Sequence, residues 1–421
     1  MTMQVFLVPG LLGFDRLGSL VYFDPRIDSL LRDHLASRGR EVTIHALSAV
    51  SHLDEPGRQG TIPTPVDVPP VPARGAGSSW IVRVSPAPAG AIEHRARALL
   101  RAVLDAAKPK GRDELCFVTH STGGLDARLL LSEGAVIDGR AVPTWIRNRT
   151  RSVITISAPH HGAPLANLAL SLNLPTLVAA MAFVVTGQEP WRLVRQAGAL
   201  AARLAAWVGR IGLPTGEAGW LAGVLGDLGI GPGDSVYDYL RSVARDNGAF
   251  FNLAPETCVT INSALRPPGD VHFAEVVSMA SPSGEANLLF QFLWKHSRAP
   301  SGEYPYPAVP LGVARAVEGA TGMRLGTGDD EQSDGVVACR SQMNGRVGCV
   351  AVGDHLDVVG MYRRKDGDAG GPSSWLVSGS NFGTPEFERL WRWIADELVD
   401  CATTADPNSR PIVIASARQH P

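Results

Sequence analysis

Between Leu115 and Leu131 the sequence changes from one periodicity to another through a single serine. LCFVTH, residues 115 to 120, is a run of strand length that opens with four apolar residues, and TGGLDARLLL after Ser121 opens a helix. A strand that enters a helix with no loop residues to spare must turn very tightly. The positions two before and two after the serine then have to be small. Gly123 satisfies this downstream, whereas Thr119 stands at the upstream position.

The same alternation continues on both sides of the junction. VFLV (5–8) reads as a strand, DPRIDSLLRDHLASRG (24–39) as a helix ended by glycine, and EVTIHAL (41–47) as the next strand. A Pro/Gly-rich loop from about 51 to 90 precedes a helix at 91–107, the strand into Ser121, a helix from Gly123 to Glu133, and the strand SVITISA (152–158). Strands alternating with helices predict an α/β fold with a mostly parallel central sheet flanked by helices. Ligands of such sheets gather at the carboxyl ends of the strands, where Ser121 lies.

From about Gly162 to Phe250 the pattern is helical without strands. WRLVRQAGALAARLAAWVGRIG (191–212) places apolar residues at helical spacing, interrupted by Arg192, Arg195, Arg203 and Arg210. Such an insertion is either an ordinary cap packed on the core or a mobile lid whose apolar face covers a cleft and opens toward lipid. CVTINSAL (258–265) and FAEVVSMA (273–280) are expected to resume the sheet, and PEFERLWRWIADELVD (385–400) to pack on it as a helix. The chain thus divides into a first core part (1–161), a helical cap or lid (162–250), a second core part (251–402) and an irregular tail (403–421).

Composition excludes several classes. With 45% apolar residues the 421-residue chain can bury a large core, and a net charge of −2 leaves no basic footprint for nucleic acid. Five cysteines without a CxxC suggest neither a zinc site nor a disulfide framework; one bridge, Cys258 or Cys349 with Cys339, is left open. Leu165 to Val185 is mostly apolar, but Asn167, Asn173 and Pro175 keep it short of the roughly 18 uninterrupted apolar residues of a membrane span. MTMQVFLVPG has no basic leader region. The compartment is therefore cytoplasmic if the chain is complete and secreted if a leader has been removed.

A serine hydroxyl becomes a nucleophile only beside an imidazole that a carboxylate orients. After Ser121 the chain offers SDGVVACR (333–340) and GDHLDVVG (353–360), which supply Asp334 as orienter and His355 as base. Asp329 and Asp330 in GTGDDEQ are rival carboxylates. At the front of the chain, LVPGLLGFD (7–15) ends a strand in a glycine turn able to aim a backbone N–H at a developing oxyanion. By position the two donors are the amides of Leu11 and Thr122.

Together VFLVPGLLGFD, FVTHSTGGLDAR, ISAPHHGAPLA, SDGVVACRS and DHLDVVG resemble the bacterial triacylglycerol lipases and esterases of the α/β-hydrolase superfamily, over most of residues 5 to 360. The resemblance implies Ser121, Asp334 and His355 as catalytic triad, Leu11 and Thr122 as oxyanion donors, and Leu12, His160 and His161 as residues near the substrate. It also implies hydrolysis of small or lipid esters with apolar acyl chains under a lid, with transient contact of that cap with a lipid interface. Relatives carry a structural calcium whose aspartate corresponds to Asp357, although Met361 replaces a glutamine ligand; the chemistry itself requires no cofactor. Two further departures are Pro9-Gly10 in place of His-Gly, and Thr119 in place of the first glycine of the family's GxSxG turn around the serine. The same triad would equally serve a polyester, a lactone or acyl transfer, and a catalytically silent binding protein on this fold is the reading from another class.

Overall fold

The computed structural model describes residues 3–13, 16–17, 20–39, 42–44, 49–50, 79–107, 111–171, 235–298, 304–362, 376–400 and 410–416. Among the described residues nine strands form one sheet: β1 (Met3–Val8), β2 (Val42–Ile44), β3 (Ala49–Val50), β4 (Ser79–Ser85), β5 (Glu114–His120), β6 (Thr150–Ile156), β7 (His272–Met279), β8 (Val347–Val352) and β9 (Ile412–Ile414). Their order is β9-β8-β7-β6-β5-β1-β4-β2, with β3 also on β4, and all these pairings are parallel.

The inner strands are apolar on both faces because helices cover both. Met3, Val5 and Leu7 of β1 join Cys116, Val118, Ile154 and Ile156 against helix α1 (Arg26–Ser37) and, with Ala274 and Ala351, against the long helix Thr384–Asp400. Phe6 and Val8 point the other way, with Phe117 and Val153, onto α2 (Ile92–Ala106) and α3 (Gly123–Leu131). On α1 the buried residues are Ile27, Leu31 and Leu35, one every turn. Phe387 and Leu390 on the long helix are fully buried, each contributing about 1.5–3 kcal/mol.

From β1 the chain first builds toward β2 and β4, then returns to lay β5 on the other side of β1. The helix leaving β1 lies on one face and the helix leaving β5 on the other. The carboxyl ends of β1 and β5 therefore flank a topological switch point, the crevice where open α/β sheets place their ligands. Gly10 and Ser121 stand there.

Three expectations are corrected. The loop expected over 51–90 contains β4, a strand beside β1; its alternating Trp80, Val82 and Val84 are masked in the sequence by the flanking prolines and glycines. CVTINSAL is not a strand but most of a helix, α4 (Pro255–Ala264). Pro255 at its first turn and Glu256 beside it are helix-start signals, and Cys258 and Leu265 are buried with Ile261 partly so. The tail is not wholly irregular, because Ile412 to Ile414 pair with Cys349 to Ala351.

Between β6 and β7 the described elements are all helical: Pro164–Ser171, Ser235–Arg245, Gly248–Leu253 and α4. The amphipathic stretch 191–212 and most of the apolar stretch 165–185 lie outside the described residues. Among the described residues no helix is long and apolar enough to cross a membrane. Cys258, Cys339 and Cys349 are buried thiols joined to no disulfide, so neither bridge considered from the sequence is formed.

The tight packing at the switch point gives a direct test. A Cβ on Gly123 would lie 2.7 Å from the Val8 carbonyl oxygen, whereas one on Gly284 meets nothing within 4 Å. Gly123→Ala is expected to lower unfolding free energy by about 1–3 kcal/mol and Gly284→Ala by less than about 0.5 kcal/mol, as read from urea denaturation.

Candidate functional site

Ser121 sits between the last residue of β5 and the first turn of α3 with a left-handed backbone, φ 54°. The Ser121 N–H donates to the Ile156 carbonyl at 2.8 Å, tying the turn to the end of β6. Gly124 abuts Ala158 as closely as Gly123 abuts Val8, so both glycines after the serine answer to contact rather than to flexibility. Thr119 is accommodated within the sheet: it pairs with Val8 and Thr155, is fully buried, and its hydroxyl reaches the Ile154 carbonyl at 3.4 Å. A left-handed, non-glycine residue is uncommon and costs of order 1–3 kcal/mol, which the surrounding contacts must overcome.

Asp334 and His355 come together across a gap of 20 intervening residues, with His355 Nδ1 2.7 Å from Asp334 Oδ2. Asp334 is fully buried, and its carboxylate has a complete set of donors. Oδ1 accepts the Val336 and Val337 amides, and Oδ2 accepts the Ser278 hydroxyl at 2.7 Å and the Gln342 side-chain amide at 3.3 Å in addition to the imidazole. Such a carboxylate fixes the ring and the tautomer of its histidine. The His355 amide also donates to the Asp334 carbonyl at 2.9 Å. Asp334 is brought to the sheet by its neighbour Ser333, which bridges to Ala280 at the carboxyl end of β7. Asp329 and Asp330 lie exposed on a separate 3-10 turn.

The turn after β1 packs against the serine. A Cβ on Gly10 would fall 2.4 Å from Ser121 Cβ and 3.0 Å from Ser121 Oγ, so only glycine fits. Neither the Leu11 nor the Thr122 amide has an acceptor among the described residues. Leu12 is held at φ 61° from both sides: its N–H donates to the Pro88 carbonyl at 2.7 Å, and its carbonyl accepts the Tyr239 hydroxyl at 2.7 Å. Arg95, wholly buried on α2, donates to the Pro9 carbonyl at 2.7 Å and the Ala87 carbonyl at 2.9 Å while pairing with Asp126 of α3. Burial pushes the Asp126 carboxyl up to about 6, against the pull of Arg95.

His160 and His161 follow β6 and are engaged by the protein. The His160 ring lies between Thr155 Oγ1 and the Arg128 guanidinium, and its carbonyl accepts from Asn262. His161 Nε2 donates to the Met343 carbonyl at 3.1 Å. Burial, then the Arg128 charge, holds His160 well below the usual imidazole range and His161 down to about 4. Asp357 Oδ2 accepts the Asp354 amide at 2.8 Å and the Ser380 hydroxyl at 3.2 Å. Burial and the neighbouring Asp354 carboxyl push it well above the carboxylate range. Calcium needs about 6–8 oxygens, and among the described residues no group of three or more His, Cys, Asp or Glu can hold a metal.

Sequence reasoning did not find Tyr22, Arg95, His120, Ser278 or Gln342. His120 carried a signal, a polar residue ending an otherwise apolar strand, and Ser278 likewise interrupts EVVSMA. Tyr22 and Arg95 carry none, because Tyr22 meets His120 and Arg95 meets Pro9 and Asp126 only across long stretches of chain, and Gln342 carries none because a lone glutamine has no pattern.

The sheet order, the strand–serine–helix turn and the placement of Asp334 and His355 at the carboxyl ends of β7 and β8 define an α/β-hydrolase fold. No family model and no curated protein matches the chain. Among solved structures it is similar to lipase 1 from Pelosinus fermentans, at 16% identity and TM-score 0.45 over 94% of this chain and 98% of that one. It is also similar to Staphylococcus hyicus lipase, at 15% and 0.43 over 95% and 96%, and to EstA from Clostridium botulinum, at 17% and 0.47 over 96% and 89%.

The depressed His161 sets a pH test with a definite sign. On acidification the unfolded chain takes up the His161 proton near pH 6.5 and the folded chain only near 4, so the stability this group contributes falls as pH drops through that window. From pH 7 to 5 the stability of the wild type relative to His161→Gln is expected to fall by about 2 kcal/mol, measured by urea denaturation of both proteins.

Proposed function

We propose that this protein is a serine carboxylic-ester hydrolase acting on esters of apolar acyl chains. The observation that carries the reading is the buried Asp334–His355 pair at 2.7 Å, together with a serine held at φ 54° in a strand-to-helix turn directly after His120. The His120 and His355 rings lie 4.6 Å apart between centroids, which brings the residue next to Ser121 against the imidazole.

In the proposed reaction His355 Nε2 takes the Ser121 hydroxyl proton as Oγ forms a bond to the ester carbonyl carbon. The oxygen that gains the negative charge is received by the Leu11 and Thr122 amides, and Asp334 stabilises the imidazolium. Breaking the ester C–O bond passes the proton to the departing alcohol and leaves an acyl-serine. Water, deprotonated by the same imidazole, then releases the acid and restores the serine. No cofactor enters this chemistry.

The apolar acyl preference is supported by the surroundings. Leu11 packs against a cluster of Ile92, Leu125, Ala166, Leu253 and Cys258, and Leu170, Phe251 and Val259 are exposed on the helices following β6. In this reading Leu12 and His161 flank the cleft, His160 supports it from behind, and the helices between β6 and β7 act as a cap able to touch a lipid surface.

Hydrolysis of p-nitrophenyl esters from acetyl to palmitoyl tests the reading. Wild type is expected to turn over, with the optimum in chain length separating an esterase from a lipase, and Ser121→Ala to lose at least about 10⁴-fold in kcat. A fluorophosphonate is expected to label the wild type and not the variant. Equal rates in the two proteins, or no labelling of either, would overturn the triad and leave a silent binding protein on this fold.

A further inference from the structure

One hydrogen-bonded chain near Ser121 is not used by the reaction as written. The Gly10 N–H lies 2.9 Å from Tyr22 Oη, Tyr22 Oη lies 2.6 Å from His120 Nδ1, and His120 Nε2 lies 2.9 Å from the His355 carbonyl oxygen. Every proton in it can be assigned. A carbonyl only accepts, so His120 Nε2 carries the hydrogen; Nδ1 of the neutral ring is then a bare acceptor, and the Tyr22 hydroxyl must donate to it while receiving the Gly10 N–H. Burial foremost, and then the neighbouring His355, keep His120 well below the usual imidazole range, so the ring stays neutral and the direction of the chain does not reverse.

The endpoints are the two parts of the site that must keep a fixed distance. Gly10 touches Ser121 and immediately precedes Leu11, whose amide faces the developing oxyanion in the proposed reaction. His355 carries the base, and its backbone is gripped from both ends, by the Asp334 carbonyl on its N–H and by His120 on its C=O. His120 itself precedes the nucleophile and is fully buried, as Tyr22 nearly is. Oxyanion donors and base act only when held to within about 0.5 Å of the productive geometry.

We infer that Tyr22 and His120 are positioning residues that hold the turn after β1 and the His355 loop in register about Ser121. This rests on the serine-hydrolase reading. The phenol oxygen joins the turn to the His120 ring, so removing that one atom breaks this hydrogen-bonded link while leaving the aromatic packing in place.

The test is Tyr22→Phe, with His120→Leu and His120→Gln, assayed on a short p-nitrophenyl ester with active sites counted by fluorophosphonate titration. Glutamine keeps one acceptor for Tyr22 and one donor for the His355 carbonyl, whereas leucine keeps neither. Tyr22→Phe and His120→Leu are expected to lose about 10- to 100-fold in kcat per titrated site with KM within two-fold, and His120→Gln to recover most of that loss. A purely structural role would instead lower the titre and the melting temperature and leave kcat per site unchanged, which would overturn the inference. So would equal losses in the glutamine and leucine variants. Those failures occur in an active, labelled wild type and leave the serine-hydrolase reading standing; a wild type that neither labels nor turns over brings down both.

Discussion

Strands β1 and β5 lie side by side in register, from Met3 beside Glu114 to Val8 beside Thr119. That pairing decides where everything near Ser121 can be. It ends both strands at the same level, so the turn leaving one meets the turn leaving the other, and the separation left between them is smaller than a methyl group at Gly10 and at Gly123. The glycines are the consequence of the strand register. Ser121 is the residue whose backbone accepts the resulting strain.

The polar groups brought to this crevice are buried, and burial without partners would cost more than the fold could sustain. Asp334 meets the requirement with donors from three separate segments. Arg95 meets it by spreading its guanidinium over Asp126 and two carbonyls, which also joins α2, α3 and the turn after β1 into one unit. In both cases satisfying the charge and holding the geometry are the same act. Geometry near Ser121 is thus insured by electrostatics rather than by apolar packing alone.

The parts of this arrangement legible in the sequence were those encoded by neighbours in the chain. VFLV, LCFVTH and SVITISA are largely apolar because helices cover both faces, and Asp334 and His355 stood out by their order after Ser121. The strand Ser79–Ser85 was hidden by the prolines and glycines that flank it in the sequence. The helix Pro255–Ala264 was misread because its β-branched residues outweighed the start signal of Pro255. Arg83 shows the limit most plainly: a charge inside a strand argues against a buried one, yet it is buried by pairing with Asp28 and donating to the Phe23 carbonyl. No local pattern announces a partner 55 or more residues away.

The bond from Tyr239 to the Leu12 carbonyl carries a thermodynamic consequence. Leu12 occupies a backbone well that a leucine would leave if unrestrained, and the helix Ser235–Arg245 supplies one of its two restraints. The cost of the left-handed Leu12 backbone is therefore shared between two distant segments, the Pro88 carbonyl on one side and the Tyr239 hydroxyl on the other, so neither segment alone fixes the turn after β1.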